Sequence, residues 1–157
     1  MSKQEENPDY KVIAENRKAR FDYHIIENYE AGIMLTGNEI KSIREGKINL
    51  KESYVRISDS AAFLIGAHIN EYSHSSEREY DPVRPRKLLL NKSEINKLRG
   101  KVEAKGFTVV PLKIYLKKGK AKLEIGLAKG KNAPDKKKDN LAKEKDLEAR
   151  RAMKFSR

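Results

Sequence analysis

The chain has 157 residues, with 35 Lys and Arg against 23 Asp and Glu, a formal charge of +12 and only 38% apolar side chains. That length suits one domain with a tail, and no run approaches the ~20 apolar residues that cross a bilayer. The absence of cysteine excludes disulfides and thiol chemistry and removes the commonest structural zinc ligands.

The start, MSKQEENPDYK, lacks the apolar run of a secretory signal. A soluble, cytoplasmic protein with a polyanionic partner is therefore expected, with nucleic acid ahead of anionic lipid and no membrane association. No repeat of 20 to 50 residues is visible, which excludes solenoids and propellers.

Residues 16–23, Asn16-Arg17-Lys18-Ala19-Arg20-Phe21-Asp22-Tyr23, mix three cations with two rings. The pattern reads two ways. Arg and Lys can pair with phosphates while a ring stacks on an unpaired base, or the segment is a solvated turn with Phe21 and Tyr23 packed inward. His24–Leu35 is expected to be a strand, bent near Glu30-Ala31-Gly32. A helix follows Thr36, because Thr36 and Glu39 complete a Thr-x-x-Glu capping box; Ile40 and Ile43 give its buried stripe and Gly46 ends it. Lys41 and Arg44, at i,i+3, share an exposed face of that helix, for which plain solvation is the simpler reading.

Tyr54–Ile57 and Phe63–Ile69 flank Ser58-Asp59-Ser60 as a hairpin. The segment Arg84-Pro85-Arg86-Lys87-Leu88-Leu89-Leu90-Asn91-Lys92 sets four cations around three leucines. A buried strand explains the leucines but not the cations at both edges, which favours a nucleic-acid contact. A second helix begins near Asn91 or Ser93, buries Ile95, Leu98 and Val102, and closes at Gly106.

From Phe107 to Leu116, the two-residue period places Thr108, Val110, Leu112, Ile114 and Leu116 on one face of a strand, and Pro111 marks an edge or a bulge. A Lys-Lys-Gly-Lys turn at 117–120 leads into a strand on which Ala121, Leu123, Ile125 and Leu127 alternate with Lys122, Glu124 and Gly126. Several strands and two helices indicate a small β-barrel or an α+β sheet.

Residues 131–157 carry 10 basic and 5 acidic residues but just four large apolar ones, Leu141, Leu147, Met153 and Phe155, too few to order 27 residues. Acid-before-base pairs at i,i+4, Asp139–Lys143 and Asp146–Arg150, support a helix weakly. The division expected is a folded region over 1–130 and a basic tail over 131–157, disordered when free and helical on a partner.

Little here suggests catalysis. His24, His68 and His74 have no metal spacing, the carboxylates form no recognisable pair, and neither GxxxxGK(S/T) nor GxGxxG occurs. No enzyme activity, cofactor or metal is expected.

Set side by side, several blocks resemble one family: the tmRNA-binding proteins of bacterial trans-translation, small protein B. The blocks are NRKARFDYHI at 16–25, YEAGIMLTGNEIKSIREGKINLKESYV at 29–55, AFLIGAHI at 62–69, RPRKLLLNKSEI at 84–95, TVVPLKIY at 108–115 and EIGLAKGKNAPDKKKD at 124–139. The resemblance implies a mainly β fold: a six-stranded antiparallel barrel of the oligonucleotide-binding type with two or three packed helices and a basic tail. It also implies binding to the tRNA-like domain of tmRNA, alanylated and accompanied by elongation factor Tu. The complex would enter the vacant A site of a stalled ribosome, where the tag is encoded.

On matching positions, Asn16, Arg17, Lys18, Arg20 and Tyr23 are implied to face RNA, and Glu30, Leu89 and Asn91 to bind tmRNA, with Lys41, Arg44, Lys87 and Lys92 as basic neighbours. Lys129, Lys131, Asp135, Lys136 and Lys137, followed by Lys138, Lys143, Arg150 and Arg151, are implied to engage 16S rRNA at the decoding centre and along the empty mRNA channel. Asn132 stands where a second Lys is usual, and Lys137 where Arg is usual, which loses a planar five-donor fork. Pro134 keeps any helix from starting before Asp135. A ribosomal or ribosome-assembly protein is the alternative reading, with a ribonuclease more remote.

Overall fold

The computed structural model describes residues 9–74, 79–104 and 106–131. In chain order they form β1 (Tyr10–Glu15), α1 (Arg17–Asp22), β2 (Tyr23–Ile33), α2 (Gly37–Arg44), β3 (Ile48–Asn49), β4 (Tyr54–Ile57), β5 (Ala62–Ile65), β6 (His68–Ile69), β7 (Arg86–Leu89), α3 (Lys92–Glu103), β8 (Phe107–Lys117) and β9 (Lys120–Gly130). The seven-stranded order β1-β8-β4-β5-β7-β2-β9 closes on itself through β8–β9. Six strands thus make the antiparallel barrel, which removes the open edges a flat sheet would leave. The seam is short, a single β4–β8 pair, Val55 opposite Val109. Further along the same edge of β8, β1 pairs with Lys113–Lys117.

Inside the ring, Val55, Leu64, Leu88, Val109, Ile114, Leu123, Ile125 and Leu127 are buried together. The expected single face of Phe107–Leu116 is corrected by a bulge: register shifts between Pro111 and Lys113. One extra residue inverts the inside–outside alternation. Val109 and Ile114 therefore share the main core, whereas Val110 and Leu112 join Ala19 and Ala128 in a second cluster beneath α1. In β2 the irregularity lies between Ile25 and Glu27, not at Glu30-Ala31-Gly32. The expected strand Phe63–Ile69 is also interrupted: Gly66, at φ +81°, separates β5 from β6 in a conformation that disfavours other residues. The β8–β9 connection is a two-residue turn, Lys118 at φ +52° and Gly119 at φ +77°, as a type I′ hairpin requires.

α2 has its capping box, with the Thr36 hydroxyl accepting from Glu39 N–H at 3.2 Å and the Glu39 carboxylate accepting from Thr36 N–H at 2.9 Å. Its buried face differs from expectation. Ile43 is buried, but its companions are Glu39 and Ser42, and Ile40 is only half-buried. α3 buries Ile95 and Leu98, with Val102 half-buried against the core. α1 lies where a solvated turn or an RNA-facing block was read, because six residues are too few to display a helical period, and β1 lies where no element was read.

Glu39 is buried because it is the hub of an ion-pair network. Arg86, also fully buried, donates to Glu39 Oε2 from Nε at 2.9 Å and from Nη2 at 2.7 Å. Its Nη1 donates to the carbonyls of Ala67 at 2.9 Å and Pro82 at 3.0 Å. Arg84 donates to Glu39 from Nε at 3.1 Å and from Nη2. Two of the four cations around the leucines are therefore structural, so their density alone does not mark a nucleic-acid contact, and Lys87 and Lys92 are the two that face outward. Burial alone would raise the Glu39 pKa, but bonds from Arg84, the Thr36 backbone and Arg86 outweigh it and hold the carboxyl below its ordinary range.

Glu39→Gln leaves Arg86 buried without its counter-charge and should cost about 3–5 kcal/mol at neutral pH, read by urea unfolding. Because the folded-state pKa is lowered, this stabilisation is complete above the ordinary carboxylate range and is lost as pH falls through the lowered value. The gap between wild type and E39Q should accordingly narrow in acid; a constant gap would show that the ionised carboxylate contributes nothing.

Candidate nucleic-acid interface

The N-terminal block divides into one buried anchor and a set of outward groups. Asn16 is 5% exposed. Its Oδ1 accepts from Ala19 N–H at 3.2 Å, while Nδ2 donates to the carbonyls of Pro111 at 3.0 Å and Leu50 at 3.3 Å. Its own N–H donates to Leu112 O at 2.7 Å. Asn16 thus faces the protein, locking α1 to the bulge of β8. On α1, Arg17, Lys18 and Arg20 are exposed and Phe21 is half-buried, as is Tyr23 at the start of β2, so the block turns its cations outward and packs its rings partly inward. Lys18 pairs with Glu52. Tyr23 and Lys18 line a cleft of about 220 Å³ with Glu52, Tyr54 and Thr108.

A second group lies on the barrel's outer wall. Gly32 of β2 faces Leu89 of β7, and Glu30 faces Glu124 of β9. Leu89 is 53% exposed and lies across Gly32, where an added Cβ would stand 3.1 Å from Leu89 Cβ. Glu30 accepts from the Tyr115 hydroxyl and from Lys117 Nζ at 3.5 Å. The Tyr115 bond, with help from Lys117, lowers the Glu30 pKa against the opposing effect of burial. Burial and then Glu30 raise that of Tyr115. Lys113 sits 5.7 Å from the Tyr10 and Tyr115 ring centroids and 3.5 Å from Glu124.

Arg44 reaches the Gly119 carbonyl at 3.5 Å, setting the end of α2 beside the β8–β9 turn. Lys41 stands 5.4 Å over the Tyr72 ring, with His74 edge-on to it. Lys87 is exposed on β7, followed by exposed Asn91 and Lys92 at the start of α3.

The structure therefore brings Glu30, Leu89 and Lys87 onto adjoining strands and Arg44 to the neighbouring hairpin, while Arg17, Lys18, Arg20 and Tyr23 gather at α1. Glu124 links the two groups, 3.7 Å from Arg20 and 3.5 Å from Lys113. Lys129 pairs across His24 and Phe107. Lys131 ties the end of β9 to α1, its N–H donating to Asp22 O at 2.9 Å and its Nζ to Arg20 O at 3.3 Å. Asp135, Lys136, Lys137, Lys138, Lys143, Arg150 and Arg151 lie outside the described residues.

Sequence reasoning missed Tyr10, Lys113, Tyr115, Lys117 and Lys118. For Lys113, Tyr115 and Lys117 the signal was present, since they alternate with Ile114 and Leu116, and only those apolar residues were read. His24, His68 and His74 are exposed on different elements, and among the described residues no group of three or more His, Cys, Asp or Glu could hold a metal. None of the described helices is long and apolar enough to cross a membrane.

Residues 13–155 match the model of the SmpB protein family. Among curated relatives, a SsrA-binding protein of Shouchella clausii is 53% identical, covering 95% of this chain and 96% of that protein. One of Enterococcus faecalis is 52% identical, covering 94% and 96%. A solved chain described as "tmRNA-SmpB: a journey to the center of the bacterial ribosome" superposes with a TM-score of 0.64 at 51% identity, covering 76% of this chain and 85% of that one.

Asn16→Ala would take a donor from the Pro111 carbonyl and strand the Ala19 N–H, while the Leu50 carbonyl keeps its Ser53 donors, and should cost about 1–3 kcal/mol. Hydrogen exchange at Ala19 should accelerate more than in the core of β9; equal protection before and after the change would argue against the anchoring role.

Proposed function

Since the chain belongs to the SmpB protein family, we infer that it is an RNA-binding protein that binds the tRNA-like domain of tmRNA and delivers it to stalled ribosomes for rescue and peptide tagging. The observation that carries this reading is the family match over residues 13–155. The chain's charge of +12 and the cations on the barrel's outer wall supply the matching physics. RNA with unpaired segments is recognised by shape, stacking and phosphate contact, and a preformed barrel suits this. A ribosomal or assembly role is not favoured by that match. Co-purification separates the two: a ribosomal protein would be stoichiometric on all ribosomes, whereas this chain should follow one small RNA.

The contacts assigned to it are finer. Arg17, Lys18, Arg20 and Tyr23 contact RNA from α1, with Asn16 positioning that helix. Glu30, Leu89 and Asn91 contact it from the barrel wall, with Lys41, Arg44, Lys87 and Lys92 as phosphate partners. The folded region spans 1–130, and residues 131–157 form the arm that engages 16S rRNA and tests whether the mRNA channel is vacant. Lys129 and Lys131 stand at its root; Asp135, Lys136, Lys137, Lys138, Lys143, Arg150 and Arg151 lie along it. An occupied channel excludes the arm, which would distinguish stalled from translating ribosomes. Alanylated tmRNA arrives with elongation factor Tu. The work is done in the cytoplasm, where ribosomes are.

Affinity for tmRNA should fall with salt at a slope of about −0.7 to −0.9 per neutralised phosphate, measured by filter binding; salt-insensitive binding contradicts the electrostatic account. Deleting residues 132–157 should leave affinity for the isolated tRNA-like domain nearly unchanged while abolishing tagging on stalled ribosomes. A large loss of RNA affinity would refute this division between barrel and arm.

A further inference from the structure

A cleft of about 430 Å³ opens between β1, β2 and the β8–β9 hairpin, lined by Tyr10, Glu30, Lys113, Tyr115, Lys117 and Lys118. Asp9 completes the lining, so the walls carry three cations against two carboxylates. The volume falls within the range of small-ligand sites.

Three chemistries meet there. The Tyr10 and Tyr115 rings lie 5.0 Å apart, tilted by 36°. Tyr115 is 4% exposed, so the half-buried Tyr10 is the ring able to take another ring upon it. Lys117 and Lys118 are exposed at the hairpin, ready for an anion. The third is an acceptor: both bonds to Glu30, from Tyr115 and Lys117, fall on Oε2, and an ionised carboxylate can only accept. A ligand suited to all three carries a flat ring, a negative group and an N–H or O–H donor. A nucleotide has that combination.

We propose that this cleft holds one unpaired nucleotide of the bound RNA, its base stacked on Tyr10, its phosphate on Lys117 and Lys118, and a base amino group or ribose 2′-hydroxyl donating to Glu30. The proposal rests on the RNA-binding reading and deepens it at the Glu30 surface. Tyr115 is a positioning residue that holds Glu30 in place. Lys113, over both rings, adds a cation–π contact to the aromatic wall.

The test uses the full chain and the tRNA-like domain of tmRNA. Tyr10→Leu should weaken binding by about 5- to 150-fold, the range for loss of one stacked base, without altering the salt slope, and Tyr10→Phe should restore it. Replacing Lys117→Gln and Lys118→Gln together should instead reduce the slope by about 0.7–0.9 for the one phosphate. These exposed positions carry the test should Tyr10→Leu disturb β1. Photocrosslinking should join one nucleotide to Tyr10. At that nucleotide, either a 2′-deoxy or an amino-deleted analogue should weaken wild type but not Glu30→Ala, which identifies the donor.

If the wild-type chain fails to bind this RNA, the functional reading itself falls. If wild type binds and the folded Tyr10 and lysine variants match it in affinity and slope, the cleft proposal alone is overturned. Equal sensitivity of wild type and Glu30→Ala to both analogues overturns the role given to Glu30.

Discussion

The carboxylate of Glu39 and the guanidinium of Arg86 occupy a volume from which water is excluded, and the placement of the outer wall follows from that pair. Removing two charges from water is costly unless nearly every donor and acceptor is satisfied. Here Arg84, the Thr36 backbone and the carbonyls of Ala67 and Pro82 complete the set. α2 is thereby fixed to the segment that enters β7. Its outward side chains, Lys41 and Arg44, thus stand in a defined relation to Lys87 and Leu89 on the strand.

The chain's basic residues therefore belong to two populations that composition cannot distinguish. Arg86 is enclosed and cannot be recruited by a ligand. Lys18 opposite Glu52 and Lys97 opposite Glu27 are exposed pairs, and such pairs contribute little to stability because water screens them. A phosphate can replace the carboxylate partner of an exposed pair at small cost. The positions available to RNA are thus those whose present ion pairs are weakest.

Local chemistry was legible where a short pattern determines the backbone. The Thr36–Glu39 box, the turn at Lys118-Gly119 and the alternation of Leu123, Ile125 and Leu127 all follow from neighbours in sequence. Barrel closure did not, because Val55 meets Val109 across a third of the chain, and no local period reports that contact. The face exchange at Leu112 was also hidden: Pro111 marked an irregularity, but the side to which each residue moves depends on α1 covering Val110. The charged site was half legible. Arg17, Lys18 and Arg20 are outward as a basic block suggests. Arg84 and Arg86 appeared equally basic, and only their proximity to Glu39, more than forty residues away, reveals their structural role. Tyr10 was missed because a six-residue edge strand whose partner lies near residue 115 has no local signature.

The pairing of β1 sets an order of events during synthesis. Tyr10 lies opposite Lys117, and Asn16 closes its bonds on Pro111 and Leu112, so the first strand and helix wait for β8 to emerge. At about 5–20 residues per second, the wait is roughly 5–20 s, and such distant pairings form slowly. The cation-bearing helix is consequently among the last parts to be fixed, although it is translated among the first. A copy interrupted anywhere before β8 has neither the support for α1 nor the walls of the Tyr10 cleft, so an unfinished molecule cannot compete with finished ones for RNA.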